Sequence, residues 1–280
     1  MQQALAELVA CNQLEEIDTN LFTGRASHQG GKRIYGGQVL AQALSAAQRT
    51  VPEEFTLHSL HSYFMRMGDP GRPVVYEVDP IRNGRSFVTR RVVAKQHGKA
   101  IFSAALSFQK PEAGLEHARA MPDVPGPEGL ASDQTLYREF FKGSDYGWPI
   151  EFRQVAPQDL SHPEPTEAVS YTWFKTADRI ADDLASHQQM LAYASDNPIL
   201  ITALRPHGIS HMNPDIMVVT LDHALWFYQP FRVDDWLLYE VHSDVAAHGR
   251  ALSRGRIYNH QGQLVAAVAQ EGLLRQRSKH

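Results

Sequence analysis

Three side chains in the second half of the sequence have the types that chemistry with water needs. They are Asp196 in LAYASDNPIL, Thr220 in VVTLDHALWF and Gln270 in AVAQEG. A carboxylate can accept a proton, and a hydroxyl and an amide can orient the group it acts on. Local rules give Asp196 a duller part. Ser195, Asp196 and Asn197 are all N-cap types and Pro198 suits a first helical position, so a helix could begin here. The competing arrangement is one helix starting near Asp182 and Asp183, with Asp196 projecting from its far end.

The choice depends on the elements that carry these residues, and those elements come twice. YGGQVLAQALSAAQ has helical spacing and is followed by strand-like LHSLHSYFM, PVVYEVDPI, SFVTRRVVAKQ and AIFSAALSFQ. HQQMLAYASDNPILITAL is followed in the same way by IMVVTLDHALWFY, WLLYEVHSDV, ALSRGRIYNH and QLVAAVAQEGLL. Between them, eight of the sixteen prolines fall from Pro111 to Pro165, which reads as a connector with a strand at WPIEFRQV. The expected division is an N-terminal half over 1–112, a connector over 113–147 and a C-terminal half over 148–280.

Matching VVYEVDPIRNGRSFVTRRVVAKQH with LLYEVHSDVAAHGRALSRGRIYNH fixes an offset of 163, which becomes 164 after a one-residue insertion at the next turn. Thr220 then stands opposite Leu57 and Gln270 opposite Leu106. Aligning VLAQAL with LAYASD at 152 sets Asp196 opposite Leu44. Leucine marks each position as buried, and a buried carboxylate, hydroxyl and amide need partners. They most simply satisfy one another and a water. A helix cap has no reason to coincide with two polar residues at core positions on other strands, so a working carboxylate is favoured over a purely structural network.

A second asymmetry runs the other way. Gly36 and Gly37 open the first helix where Gln188 and Gln189 open the second. Glycines at a helix start let a substrate approach backbone N–H groups at the positive end of the dipole, where an oxyanion is stabilised. A tight strand-to-helix turn is the plainer use of the same residues. Because the half without the carboxylate is the half with the glycines, one composite site between the halves is expected.

Bulk properties narrow the alternatives. The 280 residues carry a net charge of -4, which supplies no global basic field for nucleic acid. The lone Cys11 excludes an internal disulfide and a multi-cysteine metal site, and suits a reducing compartment. No apolar run reaches membrane-span length and the first residues lack a signal-peptide pattern, so a cytoplasmic protein is expected. The terminal SKH ends in His where a peroxisomal signal has Leu, and GGK at 30–32 lacks the rest of a phosphate-binding loop. No G-x-S-x-G, H-E-x-x-H or paired metal-ligand spacing occurs.

The stretches YGGQVLAQAL, HSLHSYFMRMGDP, RNGRSFVTRRVVAKQHGKAIFSAALSFQ, LAYASDNPIL with RPHG, TLDHALWFYQPFRVDDWLLYE and AQEGLLR resemble the type II acyl-CoA thioesterases. These are α+β proteins with two hot-dog domains in one chain, each an antiparallel sheet wrapped round a central helix. The resemblance covers both halves and leaves out the termini and the connector. It departs where the family usually has arginine before the proline of WFxRPF, since Gln229 stands there. It implies hydrolysis of acyl-CoA to fatty acid and CoA without a cofactor, and it puts the family's carboxylate, hydroxyl and amide on Asp196, Thr220 and Gln270.

On that reading Asp196 is general base for a water that Thr220 and Gln270 hold, with Gly36 and Gly37 N–H groups receiving the carbonyl oxygen. Attack by Asp196 itself, through an anhydride, is the other route. Arg90 and Arg91, with Arg82, Arg85, Lys95 and Lys99, are candidates for the CoA phosphates, weighed against a solvated strand face. His61, with His58, is a candidate cleft residue, weighed against a satisfied core histidine. Self-association as a dimer or tetramer is expected. The rival functions are a hot-dog enoyl-CoA hydratase, whose D-x-N-P-x-H pattern DNPIL matches poorly, and a non-catalytic acyl-CoA binder.

Overall fold

The computed structural model describes residues 1–27, 31, 33–140 and 147–276. Gly30 and Lys32 of the GGK stretch and the terminal SKH lie outside the described residues. After the N-terminal helix α1 (Gln2–Asn12), the chain runs β1 (Glu15–Asp18), β2 (Leu21–Gly24), α2 (Gly36–Gln48), β3 (Thr56–Phe64), β4 (Val74–Asn83), β5 (Phe87–Gln96) and β6 (Lys99–Gln109). A short helix α3 (Asp133–Leu136) precedes β7 (Ile150–Gln154), β8 (Val169–Thr176) and α4 (Leu184–Ser195). A 3-10 segment (Ile201–His207) leads into β9 (Ile216–Thr220), β10 (Asp222–Phe227), β11 (Leu237–Ala247), β12 (Arg250–Asn259) and β13 (Leu264–Gln276). The expected helix and four strands follow in the first half; in the second the expected strand IMVVTLDHALWFY is divided into β9 and β10, so five strands follow α4, and each set is preceded by a strand pair: β1 and β2 before α2, β7 and β8 before α4. Of that second pair only β7 is announced by the sequence; β8 and the N-terminal elements are not.

All the strands of the described residues form one antiparallel sheet in the order β1-β2-β4-β5-β6-β3-β10-β13-β12-β11-β8-β7, with β9 also on β13. The order reads the same from either end towards the β3–β10 seam. Its register repeats at the offsets read from the sequence. Val75 pairs with Lys95 and Leu238 with Tyr258, each 163 further on. Arg90 pairs with Leu106 as Ser253 pairs with Gln270. Leu57 pairs with Phe108 as Thr220 pairs with Gly272.

The repeat extends to an irregularity. Between Leu57 and Ser59 the β3–β6 register shifts by one residue. Between Thr220 and Ala224 four steps along β9–β10 match three along β13, from Gly272 to Ala269, so the same bulge recurs around Leu221. In an unbroken strand residues three apart face opposite sides. One extra residue puts both Thr220 and His223 on the inner face.

Inside the sheet, α2 and α4 pack against each other, and every α2 residue from Gly37 to Ala47 is buried. The start of α2 meets the end of α4, and the first turns of α4 meet the end of α2, so the two run antiparallel; Gln188 and Gln189 do not open α4 as expected, since the Asp183 cap starts it a turn earlier at Leu184. At the first contact a Cβ on Gly37 would lie 2.3 Å from the Tyr193 carbonyl, and Tyr35 donates its hydroxyl to that carbonyl at 3.1 Å. At the second, Gln48 donates to Gln188 Oε1 at 3.2 Å and Gln189 donates to Gln48 Oε1 at 2.8 Å. Leu44, Leu57 and Leu106 are all buried, as the internal comparison required. Each stabilises the first half by about 1.5–3 kcal/mol.

The connector folds back over the second half. Gln154 of β7 donates to the carboxylate of Asp133 in α3 at 3.1 Å and to the Tyr137 hydroxyl at 2.9 Å. Desolvation raises the Asp133 carboxyl to about 7 against the lowering effect of Gln154. A carboxyl raised on folding keeps its proton better in the folded state, so its contribution to stability is full below the unfolded value and is lost as pH rises through about 7. Asp133→Asn keeps an acceptor for Gln154 without the charge. Thermal melts are therefore expected to show a gain of on the order of 1–2 kcal/mol at pH 8 that shrinks towards zero by pH 4.

Candidate active site

Asp196 is not an N-cap. Asp183 fills that role for α4, accepting from the Ser186 N–H at 2.8 Å, and Asp196 is the residue at the helix's C-terminal boundary, as the longer-helix reading requires. The helical pattern read through Leu204 overshoots: α4 stops at Ser195 and the chain turns through Pro198 into the 3-10 segment. A proline inside the next turn could not supply its N–H to the ladder. α2, with Ala46 in the place of Pro198, continues to Gln48.

The structure brings Asp196, Thr220 and Gln270 together. Thr220 donates its hydroxyl to Asp196 Oδ1 at 3.0 Å, and the Gln270 amide donates to the same oxygen at 3.2 Å and to Thr220 Oγ1 at 2.9 Å. The three residues satisfy one another, as their burial required, and these bonds hold the carboxylate in one orientation. Its second oxygen, Oδ2, faces the start of α2: a Cβ on Gly36 would sit 2.8 Å from it. Gly36 leaves the space above the carboxylate open, whereas Gly37 is needed for the α2–α4 contact.

The first turn of α2 supplies donors. The Tyr35 carbonyl accepts from Gln38 N–H at 3.1 Å and Val39 N–H at 3.4 Å, which leaves the N–H groups of Gly36 and Gly37 without an acceptor inside the helix. Gly36, Asp196 and Thr220 line a cleft of about 510 Å³ whose walls include Ile34, Val39, Phe64, Ile101, Phe102, Leu200 and Val218. Arg33 and Arg66 also line it. Among the described residues, no group of three or more His, Cys, Asp or Glu side chains is placed to hold a metal.

A fourth polar residue stands behind the three. His223 of β10 is fully buried, with Nδ1 against Gln270 Oε1 and Nε2 3.0 Å from Ser195 Oγ. Burial pushes its imidazolium below the usual histidine range, against the pull of Asp196, Gln270 and Asp222. Tyr239 of β11, also fully buried, donates to the Ser195 carbonyl at 3.2 Å, and its hydroxyl is pushed up by burial and by Asp196. Sequence reasoning misses His223, although the signal is present. At the same offset of 163 it stands opposite Leu60, which is buried.

Other candidates are placed elsewhere. His61 is exposed on the outer face of β3, its ring 5.2 Å from that of Trp226, because it falls on the side of the pleat facing away from the helices. Arg90 is buried but not in the cleft. Its guanidinium donates to Thr50 Oγ1 and Thr50 O, both at 2.8 Å, and to the carbonyls of Arg82 and Thr89. Arg91 lies exposed on the opposite face, paired with Asp79 at 2.7 Å. His58 is half-buried and bonded to Ser107 Oγ at 2.8 Å, the satisfied histidine of the plainer reading. The cations at the cleft are Arg33 and Arg66, neither of which stands in the basic cluster of β4 and β5.

This placement separates the two arginines in a stability measurement. Arg90→Met strips buried carbonyls of their donor and is expected to lower stability by about 3 kcal/mol. Arg91→Met removes an exposed pair and should change it by less than about 0.5 kcal/mol. Denaturant melts of both variants decide between this assignment and a ligand-facing Arg90.

Residues 148–273 match the family described as acyl-CoA thioesterase, and residues 23–109 match the acyl-CoA thioesterase N-terminal domain. Acyl-CoA thioesterase 2 of Haemophilus influenzae is 38% identical, covering 98% of this chain and 99% of that protein. The crystal structure of an acyl-CoA thioesterase II from Mycobacterium marinum is 40% identical with a TM-score of 0.81, covering 99% of this chain and 100% of that one. A hot-dog protein from Alicyclobacillus acidocaldarius, at 20% identity, shares the fold alone, with a TM-score of 0.79 over 97% of this chain and 98% of that one.

Proposed function

The chain belongs to the type II acyl-CoA thioesterase family, and from that premise we propose that it hydrolyses fatty acyl-CoA by attack of a water on which Asp196 acts as general base. The observation that carries the reading is the held carboxylate. Asp196 Oδ1 is tied to Thr220 and Gln270, while Oδ2 faces the glycine start of α2 at an apolar cleft.

On this reading the acyl chain lies along Ile34, Phe64, Phe102 and Val218, and the thioester carbonyl points at the N–H groups of Gly36 and Gly37. Water adds to the carbonyl carbon as its proton passes to Asp196 Oδ2. The oxyanion that forms is stabilised by two donors and by the positive end of the α2 dipole. Collapse breaks the C–S bond and releases CoA as a thiolate, a tolerable leaving group that takes up the proton Asp196 gives back. No Cys or Ser nucleophile is needed. Arg33 and Arg66 at the cleft are suited to the phosphates of CoA, as guanidinium pairs well with phosphate.

The division into halves at 1–112 and 148–280 with a connector between them fits this composite site, with Gly36 on one side and Asp196 on the other. Among the described residues no helix is long and apolar enough to cross a membrane. We read the enzyme as cytoplasmic, in keeping with the single free Cys11, and as a homo-oligomer, since β1 and β7 leave open sheet edges.

Thiol release from acyl-CoAs of graded length tests the proposal. Asp196→Asn is expected to lose about 10²–10⁴-fold in kcat. Gly36→Ala, whose Cβ would crowd Oδ2, should lose activity while keeping most of its thermal stability. Undiminished turnover by Asp196→Asn would sink the base assignment, and water addition to enoyl-CoA without thiol release would favour the hydratase.

A further inference from the structure

We propose that His223 is a positioning residue for the reaction, fixing through its ring which way round the Gln270 amide sits and coupling that amide to the end of α4. The inference rests on Asp196 being the base. A glutamine amide has two faces of opposite hydrogen-bonding character. For Gln270 to donate to Asp196 Oδ1 and Thr220 Oγ1, its nitrogen must face them and its oxygen must face away. That oxygen is buried and, among the described residues, has Nδ1 of His223 as its partner within hydrogen-bonding distance. Nδ1 therefore carries the proton and Nε2 is left as an acceptor. The hydroxyl of Ser195, 3.0 Å from Nε2 on the last turn of α4, has one proton to give, either to Nε2 or to the Ala192 carbonyl, also at 3.0 Å.

Flipping the amide would set Gln270 oxygen against the Asp196 carboxylate and its NH2 against the protonated face of the ring. Two favourable contacts would become two repulsive ones. The imidazole thus holds Gln270 in the one orientation that steadies the carboxylate, and Ser195, next to Asp196 in the chain, closes the loop. Ser62 of β3 donates to the His223 carbonyl at 2.8 Å, so the β3–β10 seam fixes the backbone that carries the ring.

The other half of the molecule supplies the control substitution. His223 and Gln270 correspond to Leu60 and Leu106, which face each other across β3 and β6 and are both buried. Leucine at both positions is thus a core this register already accommodates.

The test is steady-state acyl-CoA hydrolysis by His223→Leu, His223→Asn, His223→Gln, Gln270→Leu and the Gln270→Leu/His223→Leu double variant, with Asp196→Asn alongside and thermal melts of all. His223→Leu is expected to keep its KM within about twofold and lose about 10–100-fold in kcat, the size typical of partners that orient a working ligand. Asn places a donor where Nδ1 stands and should recover most of the loss. Gln reaches towards Ser195 and should not. In the Gln270→Leu background His223→Leu should cost no further kcat, since the residue acts through Gln270. Wild-type kcat in His223→Leu, equal losses in Asn and Leu, or a full additional loss in the Gln270→Leu background would each overturn the proposal. Full activity in Asp196→Asn would instead overturn the base assignment, a result distinct from silence at His223.

Discussion

A carboxylate at the C-terminal end of a buried helix sits where the helix dipole and desolvation both oppose it. Asp196 is in that position, with 8% of its surface exposed. What makes it tenable comes from elsewhere in the fold. Because α2 and α4 run antiparallel, the positive end of α2 faces the negative end of α4, so the field at Asp196 combines both dipoles. Thr220 and Gln270 supply donors from two strands of the sheet. The glycine pair allows the approach: Gly37 admits the Tyr193 carbonyl, and Gly36 leaves Oδ2 uncovered.

The strand that holds Thr220 shows how the sheet serves this requirement. A regular β-strand could present either Thr220 or His223 to the helix, not both. The bulge around Leu221 presents both, and the corresponding bulge beside His58 shows that the irregularity belongs to the repeating frame. In the first half that frame buries Leu57 and Leu60; in the second it buries a hydroxyl and an imidazole. Four polar groups replace four leucines across α4, β9, β10 and β13, and each is bonded to another of the set. A partial replacement would leave a buried polar group without a partner, which costs more than an apolar core.

Much of this is legible in the sequence because the chain contains its own reference. Leu44, Leu57 and Leu106 mark burial at the places where Asp196, Thr220 and Gln270 stand, and the strand pairing reproduces the offsets. His223 opposite Leu60 obeys the same rule, but a histidine within a strand also has an ordinary reading as a satisfied core residue, which His58 fulfils. The basic residues are less legible. A guanidinium's reach depends on which side of the pleat its Cα falls and on what lies below, so the adjacent Arg90 and Arg91 end up on opposite faces with different partners. Strands β1, β2 and β8 escape notice for another reason: the helix-and-strand repeat is recognisable without them, and the first is four exposed residues.

The composite geometry also explains why one half bears the polar set and the other the glycines. The antiparallel helix pair has two ends. At one, Gly36 and Gly37 meet the Tyr193–Asp196 turn; at the other, Gln188 and Gln189 meet Gln48, and Gln188 donates to the Leu57 carbonyl at 2.9 Å. The glycine start of α2 opens space and exposes N–H groups, whereas Gln188 and Gln189, a turn inside α4, fill the space and spend their side-chain donors on the neighbouring helix and strand. At the far end glutamine side chains bridge the two helices and β3, and the near end is left open over a carboxylate. The proposed mechanism needs an acceptor for a proton and donors for an oxyanion in the same opening, and in this frame that opening takes Asp196 from one half and the Gly36 and Gly37 N–H groups from the other.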